Sequence, residues 1–107
     1  MVADSVVDLV KRYLARVAGA GVDVRFGVVY GSQAAGSADQ WSDIDLLVVS
    51  PLYDGAYGYA DRALLWHLSA QVDSRIEPIP CGEHQWQADD GSPLIEIARR
   101  EGQVITL

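Results

Sequence analysis

Residues 30–50, YGSQAAGSADQWSDIDLLVVS, decide how the rest of this sequence is interpreted. They begin at the end of a β-branched and aromatic segment, 24–30 (VRFGVVY), and such residues favour a strand. They end in 43–49 (DIDLLVV), where the apolar run 46–49 suits a central strand buried on both faces. Between the two, GSQAAG predicts a turn that leads into a very short helix. The stretch therefore predicts two core strands joined by a compact turn.

Helical and strand patterns alternate on both sides of this stretch. Residues 3–18 carry apolar side chains at helical spacing, with Asp4 or Ser5 as the expected cap. The later elements are predicted as a loop at 51–59, a helix at 61–72, a strand at 73–79 ended by prolines 78 and 80, a helix from Pro93 to Gly102 and a last strand at 104–107. This order predicts an α/β (α+β) fold in which helices pack on a small mixed β-sheet.

Length and composition limit the protein class. A chain of 107 residues with 50% hydrophobic and 21% charged residues is expected to form one globular domain, 1–107. No apolar run reaches the roughly 18–20 residues of a membrane span, and the first residues lack the basic region of a signal peptide. A single cysteine, Cys81, excludes an internal disulfide and fits a reducing compartment. We therefore expect a cytoplasmic protein that does not bind membranes.

The charge balance argues against long nucleic acid as a ligand. Eight Lys plus Arg stand against fifteen Asp plus Glu, which gives a net charge of −7. DNA- and RNA-binding surfaces usually need a basic patch that displaces counterions. Lys11, Arg12 and Arg16 could share one helix face, but a solvated helix face explains them as well. Acidic residues that bind metal are a better explanation of the excess.

Two short patterns in residues 30–50 can carry chemistry. Gly31-Ser32 follows a strand and precedes a helix, where backbone amides and a hydroxyl can hold an anion, although such turns are also common structurally. Asp43 and Asp45 occupy positions i and i+2 of a strand, so both carboxylates point to one face. Paired carboxylates suit Mg²⁺ together with substrate phosphates, and the alternative is a solvated strand end.

A third carboxylate could join the pair from the strand predicted at 73–79. Glu77 would do so if this strand lies beside the central one, and its alternative is an exposed edge residue beside Arg75. Asp73 is a poorer candidate near the strand start, and Glu83 falls in a predicted loop. No His or Cys spacing typical of a zinc site occurs, and Cys81 lacks a basic neighbour that would activate its thiol.

Together these residues resemble a known signature. Gly31-Ser32, ten further residues and then Asp43-Ile44-Asp45 are similar to the G-S-x10-D-x-D pattern of the DNA polymerase beta-like nucleotidyltransferases. The wording around it resembles the minimal nucleotidyltransferases, RIEPIP is similar to their third-carboxylate strand, and SPLIEIARREGQVIT resembles their C-terminal helix and strand. The resemblance covers nearly the whole chain.

The resemblance implies a role for each residue. Gly31 and Ser32 would hold the β- and γ-phosphates of a nucleoside triphosphate. Asp43 and Asp45 would ligate two Mg²⁺ (or Mn²⁺) ions, and Glu77 would complete one metal site and help deprotonate the acceptor hydroxyl. The reaction would be in-line attack on the α-phosphorus, which transfers a nucleoside monophosphate such as AMP to a hydroxyl and releases pyrophosphate.

This sequence departs from the family pattern at two places. Family members commonly carry an arginine in G-S-x-A-R-G, and Ala35 stands at that position here. The third carboxylate is often Asp, and Glu77 is one methylene longer. Loss of the arginine weakens the expected triphosphate site, so the alternative function is a catalytically weak binding module of the same fold. An unrelated α/β domain with a coincidental D-x-D is the third hypothesis.

Aromatic residues near the predicted site and the chain's size bear on partners. Trp41 could stack on a base or anchor its loop, and tyrosines 53, 57 and 59 could contact a ligand or partner or pack over the sheet. The chain is too short for a second, helical acceptor-binding domain. The resemblance implies a small helical partner of the HEPN type, as in toxin–antitoxin pairs, which the chain would neutralise by transferring AMP to a tyrosine or by occlusion. The acidic surface would steer a basic partner, and a homo-oligomer remains open.

Overall fold

A mixed four-stranded sheet forms the centre of the computed structural model, which describes residues 1–88 and 91–107. Its strands are β1 (Phe26–Tyr30), β2 (Ile44–Ser50), β3 (Ile76–Gly82) and β4 (Gln103–Ile105), in the order β3-β2-β1-β4. β1 pairs antiparallel with β2 and β4, whereas β2 and β3 are parallel. A parallel pair needs a crossover between its strands, and a helix supplies it here. The predicted mixed sheet is confirmed.

Two helices cover one face of the sheet. They are α1 (Asp4–Gly19) and α3 (Tyr59–Val72), the latter being the crossover from β2 to β3. Alternate residues of β2 point toward them, because successive strand side chains face opposite sides. Ile44, Leu46 and Val48 are therefore fully buried against α1 residues such as Tyr13 and Leu14. This layer forms the larger hydrophobic core and fixes the register of the central strand.

The opposite face of the sheet has a smaller core. Leu47 and Val49 of β2 pack there with Cys81 of β3 and with Ile95 of α5 (Pro93–Glu101). A short helix, α4 (Glu83–Ala88), places Trp86 against this cluster. Asp45, the first odd-numbered residue of β2, lies outside this apolar cluster. It is consequently free to carry polar chemistry on the same face.

Several predicted ends of helices and strands were wrong. Neither Asp4 nor Ser5 caps α1, because Ala3 occupies the N-cap position. The strand predicted at 73–79 begins at Ile76 and continues through both prolines to Gly82. The loop predicted at 51–59 contains a 3-10 helix at Pro51–Asp54, and α3 starts at Tyr59.

The missed helix α4 is stabilised from elsewhere in the chain. The Asp54 carboxylate accepts hydrogen bonds from the backbone amides of His84 (2.9 Å) and Gln85 (3.1 Å). These bonds satisfy two of the donors that a helix N-terminus leaves unpaired. They also hold the pKa of Asp54 below its usual 3.8.

Within the described residues, no helix is both long and apolar enough to cross a membrane.

Candidate functional site

Three polar side chains stand in register across neighbouring strands on the α5 side of the sheet. Tyr30 of β1 is the cross-strand partner of Asp45 in β2, and Asp45 is in register with Glu77 in β3. Residues in register share a face, on strands about 4.8 Å apart. The structure thus places Glu77 beside Asp45, as the strand pattern predicted.

Asp43 completes the acidic group from the loop that enters β2. Its position two residues before Asp45 gives it the same facing along an extended chain. Buried Gln33 of α2 (Ser32–Ala35) fixes this backbone by donating from Nε2 to the carbonyl oxygens of Ser42 and Asp43, both at 3.3 Å. Sequence reasoning missed Gln33, because nothing local distinguishes a helix glutamine that points outward from one that supports a loop.

Gly31 meets two separate demands for a residue without a side chain. Its backbone has φ +73° and ψ −147°, a region that essentially only glycine occupies. A Cβ at this position would lie 2.4 Å from Oδ2 of Asp45. The glycine therefore lets the turn before α2 pass directly against the Asp45 carboxylate, and Ser32 follows as the first residue of α2. The predicted glycine turn and the predicted acidic strand meet at one point.

The electrostatics of the acidic group show how closely its members approach. The pKa of the Glu77 carboxyl is raised above its usual 4.5, first by partial burial and then by the negative charges of Asp43 and Asp45. The proximity of both aspartate side chains to Glu77 acts in the same direction. The group therefore favours binding a positive charge, either a proton or a cation.

The acidic group has the chemistry, but not the arrangement, that a divalent metal ion requires. Among residues 1–88 and 91–107, no three His, Cys, Asp or Glu side chains are arranged to hold a metal ion as they stand. The chemistry of Asp43, Asp45 and Glu77 nevertheless suits Mg²⁺ or Mn²⁺, which prefer carboxylate oxygens. Their mutual repulsion supplies the driving force for a cation to bind. The residues fit such an ion by chemistry, provided that their side chains rotate toward it.

A cleft opens beside Asp45 toward α5. Its volume is about 520 Å³, and its lining residues are Tyr30, Gly31, Ala35, Asp45, Leu94, Ile97 and Glu101. Leu94 and Ile97 expose more than a third of their surface, so they give one wall an apolar character. Gly31 and Asp45 give the opposite side polar character. Small-molecule sites usually combine an apolar wall with a few placed polar groups in this way.

Tyr30 is a second site residue that sequence reasoning missed. It is half-buried, lines the cleft and packs against the smaller core. Burial, followed by the charges of Asp45 and Glu77, raises the pKa of its hydroxyl to about 12. The hydroxyl therefore stays neutral and can donate a hydrogen bond within an acidic environment. Its position could have predicted this role, because the residue directly before a glycine at the site also lies at the edge of that site.

Other candidates lie apart from the acidic group. Asp73 ends α3 and forms a salt bridge with Arg75 at 3.0 Å. Glu83 lies in α4 and pairs with Arg25 at 3.2 Å, so the predicted loop position was wrong. Cys81 is buried in the smaller core.

Trp41 does not anchor its loop, since its side chain is 80% exposed. The loop is held by other groups. The Asp39 carboxylate accepts from the Trp41 amide at 2.8 Å, and the Arg75 guanidinium donates to the Gln40 carbonyl oxygen at 3.1 Å. The base-stacking alternative for Trp41 stays a prediction. Of the tyrosines, Tyr53 is buried and Tyr57 packs against the larger core, which confirms the packing alternative for both, whereas Tyr59 is exposed.

Solved structures share this fold at low sequence identity. One is described as a nucleotidyltransferase from Sulfolobus solfataricus; it is 19% identical, with a TM-score of 0.63 over 92% of this chain and 77% of that one. Another is a toxin–antitoxin structure with AMP-PNP; it is 16% identical, with a TM-score of 0.61 over 92% of this chain and 70% of that one. No functionally curated protein matches the sequence significantly.

A family model identifies the chain at the level of sequence. The nucleotidyltransferase domain model matches residues 10–88. This range begins within α1 and runs through Gly31, both aspartates, Glu77 and α4, so it contains the whole acidic group. The chain therefore belongs to the nucleotidyltransferase domain family, which confirms the predicted resemblance to the minimal nucleotidyltransferases.

Proposed function

We propose that this protein transfers a nucleoside monophosphate, with AMP as the favoured group, from a nucleoside triphosphate to a hydroxyl of a protein or small-molecule acceptor. The observation that carries the proposal is the meeting of Gly31, Asp45 and Glu77. A side chain at Gly31 would collide with the Asp45 carboxylate, so only glycine allows this contact. Asp45 is in turn in register with Glu77. AMP is favoured because a protein of the same fold was solved with AMP-PNP.

Each residue of the site has a proposed task. Gly31 and Ser32 bind the β- and γ-phosphates through the turn before α2. Asp43 and Asp45 ligate two Mg²⁺ ions, or Mn²⁺, and Glu77 completes one of these sites. When bound, the metal ions would neutralise charge on the triphosphate and favour the ionised acceptor hydroxyl. Glu77 accepts the acceptor's proton, a role that suits a carboxyl with a raised pKa.

The cleft gives the nucleotide its orientation. With the triphosphate beside Gly31 and Asp45, the apolar wall formed by Leu94 and Ile97 can contact the nucleoside. The acceptor then approaches Asp45 from the direction of β3, beside Glu77. Attack on the α-phosphorus forms the new phosphoester bond while the bond to pyrophosphate breaks. Holding both reactants in line supplies much of the rate enhancement in such transfers.

The experiment is a thermal shift with each of the four Mg-nucleoside triphosphates. Saturation to about 100 times Kd stabilises a fold by roughly 2.7 kcal/mol, which raises the Tm of a small domain by on the order of 10 °C. We expect ATP to give this shift in the wild type and in Asp8→Asn, which changes an exposed acid of α1. Asp45→Asn should abolish it. A shift that survives Asp45→Asn would contradict the proposed site.

The proposed acceptor is a partner protein. A net charge of −7 would steer a basic partner, and a protein of the same fold was solved in a toxin–antitoxin assembly. We propose a small helical partner of the HEPN type, neutralised by AMP transfer to a tyrosine, in the cytoplasm. Mass spectrometry of the co-expressed partner should show one added AMP. A partner that is neutralised without this modification would contradict the transfer.

A second candidate function, occlusion of the partner without efficient catalysis, rests on Ala35. This residue lines the cleft at the position where the family commonly has an arginine. The cleft therefore lacks one cation for the triphosphate. Asp43→Asn and Asp45→Asn distinguish the functions, because occlusion survives both and transfer survives neither. Ala35→Arg should strengthen ATP binding if the cleft holds the triphosphate.

A further inference from the structure

Gln33 is a buried polar side chain on a short helix at the protein surface. It belongs to α2, and only 6% of its surface is exposed. The other two buried polar side chains among the described residues, Ser50 and Ser69, bond to backbone groups within three residues of themselves. Gln33 instead bonds to carbonyl oxygens nine and ten residues away. A buried amide that reaches a separate segment holds that segment in place, since breaking its bonds would leave polar groups unsatisfied.

The segment that Gln33 holds lies just outside the sheet. The ladder between β1 and β2 ends at Asp45, and the ladder between β2 and β3 begins at Ile44. At Gly31 the chain turns away from β1 into α2. In the described part of the chain, Asp43 therefore has no partner in either ladder. It is nevertheless one of the residues proposed to ligate the metal ions.

The Gln33 amide takes the place of the missing strand partner. An amide nitrogen carries two donors, and Nε2 lies 3.3 Å from the carbonyl oxygens of both Ser42 and Asp43. A second side chain, Arg75, holds the same loop by donating to the Gln40 carbonyl oxygen at 3.1 Å. That contact lies three residues before Asp43, so it steadies the loop without fixing the backbone at the proposed metal ligand.

A fixed backbone at Asp43 matters because the acidic side chains must rotate to bind an ion. The Asp43 side chain is exposed, and two carboxylates meet at one cation only if the Cα atoms that carry them keep a constant separation. The sheet holds Asp45 in β2, whereas Asp43 depends on Gln33. Groups that orient metal ligands without touching the metal typically change metal affinity by about 10–100-fold when they are removed.

We propose that Gln33 is a positioning residue of the metal site: its buried amide holds the backbone at Asp43 so that the Asp43 and Asp45 carboxylates can share one cation. This inference rests on the proposed function for the metal ion, and it adds a residue whose side chain bonds to backbone carbonyl oxygens alone. Gln33 directly follows Ser32, which is proposed to bind phosphate. Its hydrogen bonds therefore tie the phosphate-binding turn and the metal ligand into one unit.

The test measures binding of Mn²⁺ alone to the purified protein, from the electron paramagnetic resonance signal of the free ion. Gln33→Met removes the amide at similar volume, and Gln33→Asn keeps an amide but draws it back by one methylene. Tyr13→Phe is the matched control, because it also removes a hydrogen bond from a buried side chain to a backbone carbonyl, on the other face of the sheet. We expect both Gln33 variants to weaken the Mn²⁺ Kd by about 10-fold or more, whereas Tyr13→Phe keeps the wild-type Kd. All three should remain folded with a Tm lowered by several degrees, since each loses buried hydrogen bonding.

The outcomes separate this inference from the proposed function. Gln33 variants that lose Tm but keep the wild-type Mn²⁺ Kd overturn the positioning role and leave the proposed metal site standing. An equal loss of Mn²⁺ affinity in Tyr13→Phe also overturns it, because the loss would then follow from stability alone. Asp45→Asn should lose the binding. A wild-type protein that binds no Mn²⁺, or an Asp45→Asn variant that binds it equally well, contradicts the proposed metal site and this inference with it.

Discussion

Replacement of Gly31 by alanine tests whether the glycine turn and the acidic strand form one unit. The backbone at Gly31 lies in a region where a non-glycine residue costs about 1–3 kcal/mol. In a domain of this size, that cost lowers Tm by about 4–24 °C. The new Cβ would also lie 2.4 Å from Oδ2 of Asp45. The carboxylate must therefore rotate away, and we expect the Mg-ATP thermal shift to be lost.

Gly36 provides a control for this substitution. Its φ of +74° is also positive, although its ψ of 14° places it in the left-handed helical region, and a Cβ there would meet nothing within 4 Å. Gly36→Ala should lose stability through its backbone alone and keep the Mg-ATP shift. The double variant Gly31→Ala with Asp45→Ala should be less destabilised than the sum of its single changes, because the overlap is gone. Strict additivity, or a full Mg-ATP shift in Gly31→Ala, would refute the reasoning.

Three further predictions concern stability away from the site. Tyr13→Phe should lower the free energy of unfolding by about 1 kcal/mol, because it removes a buried 2.8 Å hydrogen bond. Tyr53→Phe should be neutral or stabilising, since that buried hydroxyl has no partner among the described residues. Equal losses for the two variants in denaturant unfolding would contradict this. Asp54→Ala should speed hydrogen exchange of the first α4 amides, and unchanged rates would argue against the cap. The pKa of Asp73 is lowered in the folded protein, so its contribution to folding stability is present above pH 3.8 and is lost as pH falls through the folded pKa. Asp73→Asn should therefore flatten that part of the Tm–pH curve. An unaltered slope would count against this interpretation.

The central strands could be predicted because their signals are local. An apolar run such as 46–49 can be satisfied only by burial on both faces, and β2 is buried in that way. The shared facing of Asp43 and Asp45 follows from the period of a strand. Gly31 was singled out by its place between a strand and a helix, and Glu77 by a strand expected beside the central one; family resemblance then gave both residues a role. Each of these predictions used neighbouring residues or a fixed spacing.

The rest of the site depends on contacts that spacing does not encode. Pro78 and Pro80 were predicted to end a strand, because a proline cannot donate to a sheet. Whether that matters depends on which edge the missing donor faces, and this is set by the pairing with β2. Helix α4 was missed for a similar reason, since its cap comes from Asp54, far away in sequence. Gln33 likewise supports Asp43 through side-chain bonds to backbone.

The mixed direction of the sheet has a consequence for how the acidic group assembles during folding. β1 and β2 are joined through α2 and its loop, so Gly31 and Asp45 can meet early, through contacts of short sequence separation. Glu77 joins them only after the whole α3 crossover has packed and β3 has paired in parallel. Pulse-labelling hydrogen exchange should therefore protect β1 and β2 amides before β3 amides. Until β3 pairs, Asp43 and Asp45 lack the third carboxyl, so the proposed metal site and the proposed proton acceptor would be complete only in the fully paired sheet.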